Sequence, residues 1–123
     1  MIAIDTSSLR RWAERKSGGD VDQVREAIRN GEASLPPIVL TEALSKPALE
    51  PVFVSVVMTL SLMTIREGYW KRAGELRSDT LSDGHKAKLA DVLIAQSCID
   101  HDVALITYDA DFRHFTRAGL KLA

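Results

Sequence analysis

Short apolar runs alternate along the chain with longer stretches in which apolar positions recur every three or four residues. That is the pattern of an α/β fold built on a parallel sheet. Ile2 to Ile4 forms a first short strand, and Ser7 to Arg15 a brief helix broken by Ser17-Gly18-Gly19. Asp20 suits the N-cap of a second helix, with Gln23 three residues on. In it Val21, Val24, Ala27 and Ile28 share a face, and Gly31 closes it. Leu35 to Leu40 is expected as the second strand, led in by Pro36-Pro37, after which Thr41 caps a short helix through Leu44 that stops at Pro47. The middle of the chain predicts a helix within Ala48 to Val57 and a strand near Leu60 to Met63. Glu67 to Arg77 is amphipathic, carrying Tyr69, Trp70, Ala73 and Leu76, and Ser78 to Gly84 reads as a polar loop. The helical pattern is strongest from Ala87 to Asp100. Val103 to Ile106 is an apolar strand, Phe112 to Ala118 a short helix and Leu120 to Leu122 an edge strand.

With 123 residues and no repeat, low-complexity segment or linker, the chain is expected to be one domain, residues 1–123. Hydrophobic residues make up 46% and charged residues 27%, the balance of an ordinary globular protein. A net charge of -1 argues against a non-specific DNA coat, whose affinity rests on many phosphate contacts. It leaves room for an enzyme that handles RNA through a local basic rim and metal ions. The one cysteine, Cys98, cannot form an internal disulfide, which favours a reducing compartment. Met1-Ile2-Ala3-Ile4-Asp5 offers no basic region of the kind that opens a signal peptide, so a cytoplasmic location is expected. Val52 to Ile65, the longest mostly apolar run, contains Ser55, Thr59, Ser61 and Thr64 and reads as buried core rather than membrane span.

Five acids stand where structure alone would not put them. Asp5 ends an apolar strand, and the crevice at strand carboxyl ends is where open α/β sheets bind ligands. Followed by Thr6, Ser7 and Ser8, it also suits a helix cap. Glu42, placed at the start of the helix after the second strand, could simply complement a helix dipole. Asp91 is more telling. Leu89, Val92, Leu93 and Ile99 form one apolar stripe of its helix, yet the stripe of Asp91 itself runs on to Ile94, Ala95 and Cys98. An acid set in a helix apolar on both sides needs a partner, because an unpaired buried charge is costly. Lys86 and Lys88 are better placed to reach solvent, which favours a cation. Asp109 and Asp111 follow the apolar strand Ala104-Leu105-Ile106 directly; Asp111 suits an N-cap, whereas Asp109 could face the same crevice as Asp5. Gathered together, such carboxylates repel one another unless a divalent ion neutralises them. Oxygen-only ligands suit Mg²⁺ or Mn²⁺, and such ions promote phosphodiester hydrolysis.

On these residues the chain resembles the PIN-domain ribonucleases, and most closely the VapC-type toxins of toxin–antitoxin pairs. Four segments carry the resemblance in the family's order: Ile4-Asp5-Thr6-Ser7-Ser8, Thr41-Glu42-Ala43-Leu44, Ala90-Asp91-Val92-Leu93-Ile94-Ala95 and Leu105-Ile106-Thr107-Tyr108-Asp109-Ala110-Asp111-Phe112. The resemblance implies a three-layer fold, a central parallel sheet flanked by helices. It also implies Asp5, Glu42, Asp91 and Asp109 around one or two Mg²⁺ or Mn²⁺ ions. Asp5 and Asp91 would be the principal ligands, Asp109 would bind directly or through water, and Glu42 would hold or activate the attacking water. Thr6, Ser7 and Thr107 would steer carboxylates and waters through their hydroxyls. Asp111 matches a position often acidic in the family. RNA is the implied substrate, a small antitoxin the implied partner and a homodimer the implied assembly. Two departures bear on substrate choice: Pro47 to Arg66 matches no family motif, and Tyr108 stands where the family often has a basic residue.

Arg10 and Arg11, with Arg15 and Lys16, cluster on the helix after Asp5, close enough to hold RNA phosphates or simply to form a solvated face. Trp12 and Trp70 read as core or interface packing. His85, His101 and His114 lack zinc spacing, and Cys98 on its buried stripe reads as inert. A non-catalytic module of the same fold, binding RNA or protein, is the alternative function; a missing metal-site acid would favour it, and all four are present. A phosphoacceptor receiver domain fits less well: Asp5 has no adjacent acid, and no lysine follows Val103 to Ile106.

Overall fold

The computed structural model describes all residues 1–123. Five parallel strands form one sheet in the order β3-β2-β1-β4-β5. They are β1 (Ile2–Ile4), β2 (Ala33–Leu35), β3 (Ser61–Leu62), β4 (Ala104–Ile106) and β5 (Lys121–Leu122). Helices α1 (Thr6–Ala13), α2 (Gly19–Arg29), α3 (Pro37–Leu44), α4 (Pro51–Thr59), α5 (Tyr69–Ser82) and α6 (Leu89–His101), with a 3₁₀ segment (Ala110–Ala118), flank it. The expected α/β class and flanked parallel sheet are therefore the observed ones. No helix is long and apolar enough to cross a membrane.

The sheet's order places β1 at its centre. From β1 the chain adds β2 and β3 on one side, then returns to add β4 and β5 on the other. Ala3 pairs with Leu105 and Ile4 with Ile106, so β1 and β4 end level with each other. The Asp5 amide donates to the Ile106 carbonyl at 2.9 Å, extending the pairing by one residue. Strand order reverses between these two strands, and a crevice opens at such a reversal. Ile4, Leu35, Leu105 and Ile106 are fully buried, and Phe112 and Phe115 close the core edge to face, 5.9 Å apart. Gly119 turns the chain from the 3₁₀ segment into β5 at φ +111°, a backbone that costs glycine nothing.

Three expected boundaries move. Leu35 to Leu40 is not a strand: β2 ends at Leu35 and α3 begins at Pro37. A proline at the first helical position lacks only an amide that would go unbonded there anyway. It also keeps Pro36 extended, at ψ 138°. Thr41 is thus inside α3 rather than its cap, and Glu42 lies in the last turn rather than the first. Asp20 does not cap α2; Gly18 does, and the Asp20 carboxylate takes hydrogen bonds from Ser8 Oγ at 2.8 Å and Arg11 Nε at 3.0 Å. Ser78 to Gly84 is not a loop either. α5 continues to Ser82 because Thr80 is buried one turn beyond Leu76 and its hydroxyl donates to the Leu76 carbonyl at 2.8 Å. Tertiary burial overrides the weak local propensity of Ser78-Asp79-Thr80.

Candidate active site

Two strand ends and two helices bring chain-distant acids to one neighbourhood. Asp5 follows β1 and is only 4% exposed. It holds the N-cap position of α1 with extended backbone, but its side chain makes no capping bond. Instead its Oδ2 accepts from Ser7 Oγ at 2.6 Å and from Thr107 Oγ1 at 2.8 Å. Burial pushes the Asp5 carboxyl above its ordinary range, the Ser7 and Thr107 bonds work against that, and the charge of Glu42 adds to the rise.

Thr107, just past β4, joins two acids. Its hydroxyl donates to Asp5 and accepts from the Asp109 amide at 3.0 Å. Asp109 in turn caps the 3₁₀ segment, its Oδ1 accepting from the Asp111 amide at 2.9 Å. The cap expected of Asp111 is thus made by Asp109, whose charge still reaches Asp91, and Asp111 is a first-turn residue. Asp111 points toward His114, whose Nε2 lies 3.9 Å from its Oδ1.

Glu42 is half-buried, and Thr6 Oγ1 donates to its Oε1 at 2.7 Å. Its place in the last turn of α3 removes the dull explanation for it. An acid there opposes the helix dipole instead of complementing it. Arg10 donates to the Glu42 carbonyl at 2.8 Å, not to its carboxylate.

Asp91 enters from the first turn of α6. Burial raises its carboxyl, the charges of Asp109, Asp5 and Glu42 raise it further, and Lys88 offsets only part, leaving the pKa at about 6. Cys98, two turns on along the same stripe, is buried in the core, and burial together with the charge of Asp5 pushes its thiol up to about 12. Cys98 is therefore an inert packing residue, as its position on the stripe implies.

None of Asp5, Glu42, Asp91 and Asp109 pairs with a lysine, arginine or histidine at ion-pair distance. Lys88 acts on Asp91 only through its charge, at more than ion-pair distance, and Arg11 is engaged elsewhere. Arg11 is ion-paired with Asp20, donates to the Ser17 carbonyl at 2.8 Å, and lies over the Tyr108 ring, 3.7 Å from its centroid. No three Asp, Glu, His or Cys side chains are gathered tightly enough to hold one ion between them. The result is an electronegative crevice bound together by Thr6, Ser7 and Thr107.

Two features lay beyond the reach of sequence patterns. The Arg11–Tyr108 stack joins residues from opposite ends of the chain, and no local spacing announces it. Asp100, 6% exposed on α6, accepts both arms of Arg72 at 3.0 and 2.6 Å and the Gln96 amide at 2.8 Å. Gln96, the one polar residue on its stripe, is the only local hint of that network.

In comparisons with known proteins, the family model described as the PIN domain matches residues 2–118. No curated protein matches the chain.

Proposed function

The chain belongs to the PIN-domain family, whose members are generally nucleases that use divalent metal ions, and from that premise we propose that it is a Mg²⁺- or Mn²⁺-dependent endoribonuclease. The observation that carries this reading is the set of four chain-distant carboxylates, none ion-paired with a basic side chain, in which burial and the charges of the other three raise the Asp91 carboxyl. The donor set fits a hard divalent cation, since only carboxylate and hydroxyl oxygens join the network.

In this reading Asp5 and Asp91 would hold the ion, and Asp109, one of whose oxygens caps the 3₁₀ segment, would assist with the other. When bound, the ion supplies charge neutralisation at the scissile phosphate and lowers the pKa of water. Thr6 fixes one oxygen of Glu42, leaving Oε2 to take the proton of the attacking water. That water's oxygen bonds to phosphorus as the bond to the 3′ oxygen breaks and the leaving oxygen takes a proton from solvent, so the products carry a 5′-phosphate and a 3′-hydroxyl. Ser7 and Thr107 keep Asp5 aimed, and Arg10, on the exposed side of α1, is the nearer candidate for a phosphate contact.

The finer reading is a toxin of a type II toxin–antitoxin pair, cytoplasmic, homodimeric and silenced by a small antitoxin. A surface for protein partners supports it. α4 is apolar along its length, yet Val52 and Met58 are 73% and 61% exposed. The alternative, a non-catalytic PIN-fold module, draws on the looseness of the acid cluster.

Purified protein incubated with single-stranded RNA separates these readings. Cleavage is expected with Mg²⁺ or Mn²⁺, and none with EDTA or in Asp5→Asn and Asp91→Asn. Cleavage that survives both substitutions defeats the mechanism; binding without cleavage favours the module. Expression in bacteria should arrest growth for the wild type and spare it for the variants, and growth unaffected by the wild type would remove the toxin reading alone.

A further inference from the structure

We propose that Tyr108 is a stacking platform for one nucleobase of single-stranded RNA, set beside the carboxylate crevice; this rests on the nuclease reading. The ring is 63% exposed although it adjoins Asp109 in sequence and its backbone is tied to the crevice. The Tyr108 amide donates to Ser7 Oγ at 3.3 Å, and Ser7 donates to Asp5 at 2.6 Å. Two hydrogen bonds thus tie the Tyr108 backbone to Asp5.

One ring face is already occupied. Arg11 lies against it, 3.7 Å from the centroid, and Arg11 is itself held by Asp20 and by the Ser17 carbonyl. Ser8 buttresses Asp20 in turn. A guanidinium pinned this firmly is poorly placed to meet a phosphate; what it does is hold the ring flat. With Arg11 in place Tyr108 still stays 63% exposed, which leaves ring surface for a ligand. Presetting an aromatic side chain removes part of the entropy cost of stacking a ligand on it.

The surroundings suit a base rather than a protein side chain. Tyr108 lines an open groove with Arg11, Ser17, Asp20, Gln23 and Thr107, mostly polar groups able to meet a base edge. Thr107 belongs to both places, lining the groove and donating to Asp5. A strand whose phosphate lies in the crevice would therefore pass a neighbouring base directly into the groove. Stacking needs an unpaired base with a free face, so a duplex gains nothing here.

The test uses fluorescence anisotropy in the Asp91→Asn background, which allows RNA to bind without being cut. Probes are a labelled single-stranded oligoribonucleotide, the same sequence as a duplex, and an abasic ribose-phosphate chain of equal length. Tyr108→Ala should weaken single-strand binding about tenfold and leave the abasic chain and the duplex unaffected. Tyr108→Phe, which keeps the ring, should bind like the parent. Equal binding of the single strand by the alanine variant and its parent overturns the proposal. So does a phenylalanine variant as weak as alanine, since the hydroxyl rather than the ring would then matter. If wild-type protein cuts RNA while the alanine variant binds normally, only the platform fails. If wild-type protein neither cuts nor binds RNA, the nuclease reading fails and the platform with it.

Discussion

A carboxylate without a counterion on a buried helix face costs stability at any pH where it is charged, and Asp91 is such a group. Its pKa is raised from the ordinary 3.8 to about 6. A raised acid contributes stability that is present below its unfolded pKa and lost as pH rises through its folded one, so the penalty is complete above about pH 6. Asp91→Asn removes the charge. It should abolish RNA cleavage and, at pH 7.5 without divalent ions, raise stability by roughly 1–2 kcal/mol, several degrees in Tm. The gain should shrink toward zero as the pH falls through 4, which thermal melts across pH will read. Adding Mg²⁺ should stabilise the wild type by about 2.7 kcal/mol at a hundredfold excess over Kd and so raise its Tm, and stabilise the variant much less. A variant less stable than the wild type at neutral pH would mean that Asp91 has a cationic partner in solution. This residue was legible in the sequence because burial on both helix faces leaves an acid unexplained. Asp111 was harder: acids two apart at one turn compete for the same cap, and only backbone geometry decides between them.

Helices α5 and α6 are clamped at the far side of Asp91's helix by Arg72, Asp100 and Gln96. Burial alone would raise the Asp100 carboxyl, but the Arg72 and Gln96 hydrogen bonds and the Arg72 charge outweigh it and hold it below the usual range. A lowered acid stabilises the fold above its unfolded pKa and loses that contribution as pH falls through the folded one. The clamp should therefore be intact at neutral pH and fail only in acid. Arg72→Ala leaves the Asp100 carboxylate without its cation, held by Gln96 alone, and should lower stability, by less than the loss of a fully buried pair because the arginine is partly exposed. Arg72→Ala combined with Asp100→Asn should recover part of the loss, as denaturant melts of the three proteins would measure. Full additivity would mean that the two groups do not interact. Elements of this kind are where sequence reading stops short. The α6 helix was clear from its unbroken apolar pattern, whereas the end of α5 depends on Thr80 finding cover under a distant segment. The start of α3 hid behind Pro36-Pro37, because an extended proline followed by a helix-starting one resembles the lead into a strand.

At the scale of the whole molecule, the crevice exists because the strand order reverses between β1 and β4, which brings residue 5 beside residue 107. Each short segment was readable, since apolar strands ending in acids mark a ligand-binding edge. Their juxtaposition was not, because strand order lies in no local pattern and came only from the family resemblance. Thr107 tests whether that juxtaposition works as one unit. Its hydroxyl accepts from the Asp109 amide and donates to Asp5, so a single side chain couples the two strand ends. Thr107→Val keeps shape and volume but removes both bonds. It should weaken apparent Mg²⁺ affinity or activity about 10–100-fold, the usual cost of losing a group that orients a metal ligand. Stability should also fall, by roughly 2–3 kcal/mol, since two hydrogen bonds go and one of them is to a carboxylate. Thr107→Ser restores the hydroxyl and should restore the metal dependence, which a purely structural role would not require. If valine lowers Tm sharply while the Mg²⁺ titration stays where it was, Thr107 is a core-packing residue, and Asp5 and Asp109 act without coupling through it.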